Sequence, residues 1–420
     1  NVLINYTYIG PISQLITFEE TPLKGALHDD GLAPKKNQGI LMKNGRIEAV
    51  DDHGALFAKA EKLKAKIYGL PKKSTVLPGF IDSHTHICFS GDRALDYARR
   101  NAGMTYLEIA EKGGGIWDTV THTRNAGQQE LAQLTAQRAN LLLSRGITTI
   151  EVKSGYGQSI EEELKMLRAI AQAQKLTKAT LVPTCLALHI IPREFKGKAE
   201  KYVDTIVNNL LPIIKEENLA ARVDAFIEQG SYTPLMVKPF FEKARESNLD
   251  ITVHADQFTT GGSKVAINYE AVSADHLEAS GEVEIALLAQ SNTVATALPG
   301  ATLGLGCGFA PARRLLDQGA CLAIASDWNP GSAPMGDLLT QASILGAFEK
   351  LTSTEILTGM TYRAAHALRR EKIGRIRPGY AADIVVFETG NPHEVLYRQG
   401  QLRPSKVFKN GELIQQAHDI

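Results

Sequence analysis

Cysteine is scarce in this sequence. Cys88, Cys185, Cys307 and Cys321 are its four, with no CxxC pair and no short-range framework. That excludes a disulfide scaffold and leads us to expect a reduced, cytoplasmic protein in which all four are packing residues. Net charge is missing too: 46 basic residues balance 46 acidic ones, leaving no overall field to draw the chain toward nucleic acid or an anionic membrane. A small neutral or zwitterionic ligand suits it better. No run approaches the roughly 20 apolar residues of a membrane span, and the N-terminal segment lacks a basic region followed by a long apolar stretch.

What is present is material for a large core. With 420 residues, 44% of them hydrophobic, the chain can form one barrel with an appendage or two domains. The first segment carries short alternating strands around a turn at Asn44-Gly45, the pattern of a β-hairpin. Near the other end, the apolar run Ile384-Val385-Val386-Phe387 and the pair Val407-Phe408 lead to a second Asn-Gly turn at Asn410-Gly411. The two ends echo one another, so residues 1–76 and 378–420 are expected to join in one small β-sandwich domain. Residues 77–377 would then be inserted between its halves.

The inserted part alternates β-rich apolar runs with amphipathic helical stretches, the form of repeated βα units and a parallel sheet. Eight such runs can be counted, beginning near residues 80, 147, 180, 223, 251, 271, 293 and 321. Between the second and third lies a helical stretch, residues 160–174, with Leu164, Leu167 and Ala171 as its apolar stripe and Glu161, Glu162 and Glu163 in its first turn. Eight strands suggest an α/β protein built on a (β/α)8 TIM-like barrel. An open doubly wound sheet has the same alternation and stays open as an alternative.

In a barrel, catalytic groups belong at or just beyond the carboxyl ends of strands. His84 and His86 follow the first run as His-Thr-His, and alternation along an extended chain aims both imidazoles to one side. His254 closes the fifth run, His276 the sixth and Asp327 the eighth. A lone histidine after a strand is more often a hydrogen-bonded structural residue than a ligand. Five such residues in register at the strand ends of one barrel point to a metal site, which can lower the pKa of a bound water from roughly 16 to about 7 and polarise a carbonyl. That is hydrolase chemistry.

The run Pro78-Gly79-Phe80-Ile81-Asp82-Ser83-His84-Thr85-His86 resembles the HxH motif of the amidohydrolase superfamily. Further runs are similar to those of one branch, the imidazolonepropionases: Gly113-Gly114-Gly115-Ile116, Glu151-Val152-Lys153-Ser154-Gly155-Tyr156-Gly157, His254-Ala255-Asp256-Gln257, Ser273-Ala274-Asp275-His276-Leu277 and Ser326-Asp327-Trp328-Asn329-Pro330-Gly331. The resemblance covers essentially the whole chain. It implies one Fe or Zn ion per chain held by His84, His86, His254 and Asp327, with His276 as general base or as the group that steers the attacking water. It also implies that Asp327 carries a proton to the departing ring nitrogen. The implied substrate is imidazolonepropionate, opened to N-formimidoyl-L-glutamate, with Arg93 as a bidentate partner for its carboxylate. Tyr156, His189, Gln257, Asn329, Gly331 and Ser332 align with positions that contact ring, carboxylate or product. Their plainer readings are a turn aromatic, a structural histidine and a Pro-Gly loop.

The fourth run, Ala225-Phe226-Ile227-Glu228, lacks the lysine that bridges two metals in another branch, so a mononuclear site is favoured. Lys153, after the second run, reads as an ion-pairing residue or as one that supports the site from behind the ligands. The chain departs from the branch in its small residues over 302–309, in Ser332 where threonine is common, and in Gln257 where some relatives have glutamate. A nucleobase deaminase of the same superfamily is the nearest rival, disfavoured because no catalytic glutamate follows His254. A metal-free scaffolding relative would have lost ligands that are all present here. For such enzymes a homodimer is the default expectation.

Overall fold

The computed structural model describes residues 5–416. The eight runs form one parallel sheet, labelled here β1 (Phe80–Asp82), β2 (Ile147–Lys153), β3 (Thr180–Leu188), β4 (Arg222–Phe226), β5 (Asp250–Ala255), β6 (Ser273–His276), β7 (Val294–Ala297) and β8 (Leu322–Ile324). Every neighbour in chain order is a neighbour in space, which is barrel connectivity and not that of a doubly wound sheet. The seam between the short β1 and β8 is closed beyond their ends. There Asp327 N donates to His84 O at 3.0 Å, His86 N donates to Trp328 O at 2.9 Å, and a parallel bridge pairs Thr85 with Trp328. Closure thus falls where the candidate ligands lie.

Period-two alternation divides each strand. In β2, Ile150 and Val152 join the hydrophobic core, while the buried Glu151 and Lys153 alternate with them on the other face. The helix Ile160–Ala173 packs on this layer and buries Leu164, Leu167 and Ile170. Ala171, expected in that stripe, is exposed, because on the 3.6-residue period it lies beside Leu164 at the margin of the buried face, which is centred on Met166, Ile170 and Ala173.

The two chain ends build two further sheets. One has the order Arg46–Asp52, Gln38–Lys43, Tyr6–Ile12, Lys66–Gly69. The other joins both termini, in the order Glu412–Gln416, Lys406–Lys409, Ile384–Phe387, Thr75–Pro78, Gln14–Leu15. Both Asn-Gly turns form as expected, each residue with positive φ (Asn44 48°, Gly45 81°, Asn410 49°, Gly411 74°). They also meet: a Cβ on Gly45 would stand 3.2 Å from Asn410 O. Among the described residues no helix is long and apolar enough to cross a membrane.

Candidate active site

Three imidazoles converge at the carboxyl end of the barrel. His84 Nε2 lies 3.2 Å from His86 Nε2, which lies 3.4 Å from His254 Nε2. Asp327 Oδ1 stands 3.3 Å from His84 Nε2 and 3.2 Å from His86 Nε2. All four side chains are buried. A ring nitrogen of His276 and one of His189 also come within 4.8 Å of members of this cluster.

For two of the rings the tautomer follows from what stands behind them, while His86 Nδ1 has no hydrogen-bond partner among the described residues. His84 Nδ1 lies 2.6 Å from Asp275 Oδ2, and His254 Nδ1 lies 2.8 Å from Asp224 Oδ2. A carboxylate there keeps the proton on Nδ1 and leaves Nε2 a bare lone pair, the arrangement typical of metal-ligating histidines. Bare lone pairs facing one another in a dry interior repel unless a cation stands between them. Nitrogens about 2.1 Å from one ion at tetrahedral angles would be roughly 3.4 Å apart, close to the separations seen.

Electrostatics say the same. Burial pushes the His86 pKa well below its usual value and that of His254 down to about 3, so both are neutral, as ligands must be. Burial and Lys153 also press His84 downward, but Asp275 and Asp327 outweigh them and lift it to about 9. Asp327 is held well below the carboxylate range; burial opposes this, and His84 and His86 overcome it. Without an ion His84 carries that positive charge as a second ring proton; a divalent ion takes the proton's place and leaves the imidazole neutral.

Beside the cluster opens a cavity of about 630 Å³. His86, His254, His276 and Asp327 reach its wall; His84 stays behind them. Arg93, Tyr156, His189 and Gln257 also line it, as do Asn329, Gly331 and Ser332. The Arg93 guanidinium is fixed by Asp96, with Nε 3.0 Å from Oδ2, and the same oxygen accepts the Gly115 amide at 2.8 Å. Gly331 leaves room for it: a Cβ there would lie 2.2 Å from Arg93 Nη1. Asn329 is occupied by its own turn, its Oδ1 accepting the amides of Gly331 (2.9 Å) and Ser332 (2.8 Å) while its Nδ2 donates to Asp327 O (2.7 Å). It shapes the loop that carries Asp327. The His189 ring stacks on His86 at 5.3 Å, and burial lowers its pKa to about 4.

His276 and Asp327 share a backbone signature, with φ of 94° and 52°. Left-handed conformations in non-glycine residues cost of order 1–3 kcal/mol and persist only where surroundings enforce them. For His276, the Leu277 amide bonded to Ala255 O at 3.0 Å does so. Its Nδ1 lies 3.3 Å from Glu278 Oε1, and although burial disfavours the cation, Glu278 and Asp327 raise its pKa overall.

Two expectations change. Cys307 is exposed and lines the cavity instead of packing, because the small residues around it end the helix Pro299–Leu305 at a left-handed glycine, Gly306, and leave the following stretch on the surface. Glu163 does more than complement a helix terminus: it is buried, and its carboxylate accepts the amides of Gly155, Gly157 and Gln158 at 2.9–3.0 Å, which fixes the loop bearing Tyr156. The carboxylates that orient the cluster, Asp224, Asp275 and Glu278, were not singled out from the sequence. Their signal was a charged residue inside an apolar strand, as in Val223-Asp224-Ala225, or next to a site histidine.

The profile of the Amidohydrolase family matches residues 75–414. An imidazolonepropionase of Alkaliphilus oremlandii is 35% identical over 97% of both chains. One of Thermoanaerobacter pseudethanolicus is 38% identical over 88% of both. Among solved structures, the atrazine chlorohydrolase of Arthrobacter aurescens complexed with zinc superposes with a TM-score of 0.71 at 16% identity, covering 98% of this chain and 95% of that one. A zinc-bound adenosine deaminase of Xanthomonas campestris does so at 0.67 and 17%, covering 97% and 92%. At that distance the structures share the fold. The chain belongs to the amidohydrolase family and, within it, to the imidazolonepropionases.

Proposed function

We propose that this protein hydrolyses the cyclic amide of 4-imidazolone-5-propanoate to N-formimidoyl-L-glutamate. His84, His86, His254 and Asp327 hold one Fe or Zn ion per chain in this reading. The observation that carries it is the convergence of bare Nε2 lone pairs at the wall of a cavity that also presents an Arg93 guanidinium. The chemistry also agrees with the substrate named for the Alkaliphilus and Thermoanaerobacter relatives.

When bound, such an ion polarises the ring carbonyl and makes water a stronger acid. The chain's residues do the rest. Arg93 pairs with the propionate carboxylate through its Nη groups, its Nε being engaged by Asp96. His276, backed by Glu278, takes the proton of the attacking water, and its positive charge then faces the developing oxyanion. Asp327 accepts the second proton of that water as the tetrahedral adduct collapses and passes it to the ring nitrogen as the C–N bond breaks, and His276 then releases its own proton to solvent. Tyr156, His189 and Gln257 wall the ring, while Gly331 and Ser332 complete the carboxylate end.

The same reading takes residues 1–76 and 378–420 as one β domain and 77–377 as the barrel domain. It takes the working unit as a cytoplasmic homodimer, in keeping with four unpaired cysteines. The test is an ultraviolet assay with freshly generated imidazolonepropionate and product identification by mass. Loss of substrate with appearance of N-formimidoyl-L-glutamate supports the reading; an inert protein carrying one ion per chain would redirect it to other cyclic amides.

A further inference from the structure

Below the histidine cluster, inside the barrel, lies a lysine that the reaction does not use. Lys153, the last residue of β2, is fully buried. Its Nζ stands 2.5 Å from Glu151 Oε2 and 2.9 Å from Asp224 Oδ2. Each carboxylate continues to a different part of the site. Asp224 accepts the His254 amide through Oδ1 at 3.1 Å and sets Oδ2 2.8 Å from His254 Nδ1. Glu151 accepts the amide of Thr85 at 3.2 Å, and its main-chain oxygen accepts the Thr85 hydroxyl at 2.6 Å. Thr85 is the residue between His84 and His86. Thr184, on β3, donates its hydroxyl to Glu151 Oε2 at 2.8 Å.

One ammonium therefore sits where two arms meet, one leading to His254 and the other to the His84-Thr85-His86 segment. Without it, two buried carboxylates would face each other across a few ångströms of low dielectric with no cation between them. Such a pair is strongly destabilising and separates where the backbone lets it. Here separation would carry His254 away from His84 and His86.

We propose that Lys153 is a positioning residue of the metal centre, drawing Glu151 and Asp224 together and thereby setting the spacing between His254 and the His84-Thr85-His86 segment. The proposal rests on the reading of these histidines as ligands. It is distinct from a general contribution to folding, because it predicts a change in the ion's surroundings in protein that remains folded.

The test is Lys153→Met, which keeps the length of the side chain and removes its charge. Titration of the folded, metal-free variant with Zn²⁺ should show affinity reduced by about 10- to 100-fold, the usual cost of losing a group that orients ligands. The visible spectrum of the Co²⁺-loaded variant should shift, and kcat should fall with KM nearly unchanged. Lys153→Met/Glu151→Gln, in which a side-chain amide can donate to Asp224, should recover part of the affinity. Should Lys153→Met fail to fold, Glu151→Gln alone carries the test, with the same spectral shift expected. A folded Lys153→Met with wild-type Zn²⁺ affinity and Co²⁺ spectrum would overturn the proposal. If His254→Ala also left Zn²⁺ affinity unchanged, the fault would lie in the assignment of the ligands.

Discussion

Replacing Gly331 by alanine puts a methyl group where Arg93 now lies. Gly331 does not have a positive φ, so its backbone accepts alanine without strain. The added Cβ would stand 2.2 Å from Arg93 Nη1 and 2.9 Å from Cζ, whereas ordinary contact begins near 3.4 Å. The guanidinium must retreat by about 1 Å while its Nε is still held by Asp96. A bidentate pair with a carboxylate does not survive such a shift, and losing one charge-assisted hydrogen bond costs roughly 1.5–3 kcal/mol. Gly331→Ala should therefore lower kcat/KM by about 10- to 100-fold, mostly through KM, with little change in melting temperature. The assay compares imidazolonepropionate with an analogue whose carboxylate is replaced by a methyl group, in wild-type and Arg93→Ala backgrounds. The loss should vanish with the analogue and in the Arg93→Ala background, since a double-mutant cycle isolates the pair. An equal loss in all four combinations would refute the reasoning.

Other outcomes follow from the same geometry. His276→Ala should retain its ion while turnover falls by about 10²- to 10⁴-fold, and metal analysis beside the rate separates the two effects. Asp275→Asn keeps an oxygen facing His84 Nδ1 but removes the charge; equilibrium dialysis should show ion affinity about 10- to 100-fold weaker, with Arg93-dependent substrate recognition unchanged. Chelation should lower stability in denaturant titrations, by about 2.7 kcal/mol relative to protein in free ion at a hundredfold its Kd.

The barrel and the ligand candidates were legible because their signals are local. Apolar runs alternating with helical stretches marked the strands, and His84, His86, His254, His276 and Asp327 each stood at or just beyond the end of a run. What the sequence did not disclose depends on register between strands. Asp275 is the Cα partner of His254 across β5 and β6, yet its carboxylate serves His84, nearly two hundred positions earlier. Asp224 reaches His254 because β4 and β5 pair Phe226 with His254, which sets Asp224 two residues below on the same face. Lys153 could be read as an ion-pairing residue, and Glu151 lies two residues before it on the same strand, but its second partner Asp224 comes from β4 and no local pattern discloses it. Cys307 shows the opposite limit: a hydrophobic residue type predicts burial only where a neighbouring element covers it, and nothing covers residues 306–308.

The account stands on one ion held by three imidazoles and a carboxylate. Its most direct test is to titrate metal-free protein with Zn²⁺ or Fe²⁺ and plot turnover of imidazolonepropionate against ions added per chain. A linear rise that breaks at one equivalent, abolished in His254→Ala, is the predicted result. A break at two equivalents, or turnover that needs no ion, would contradict it.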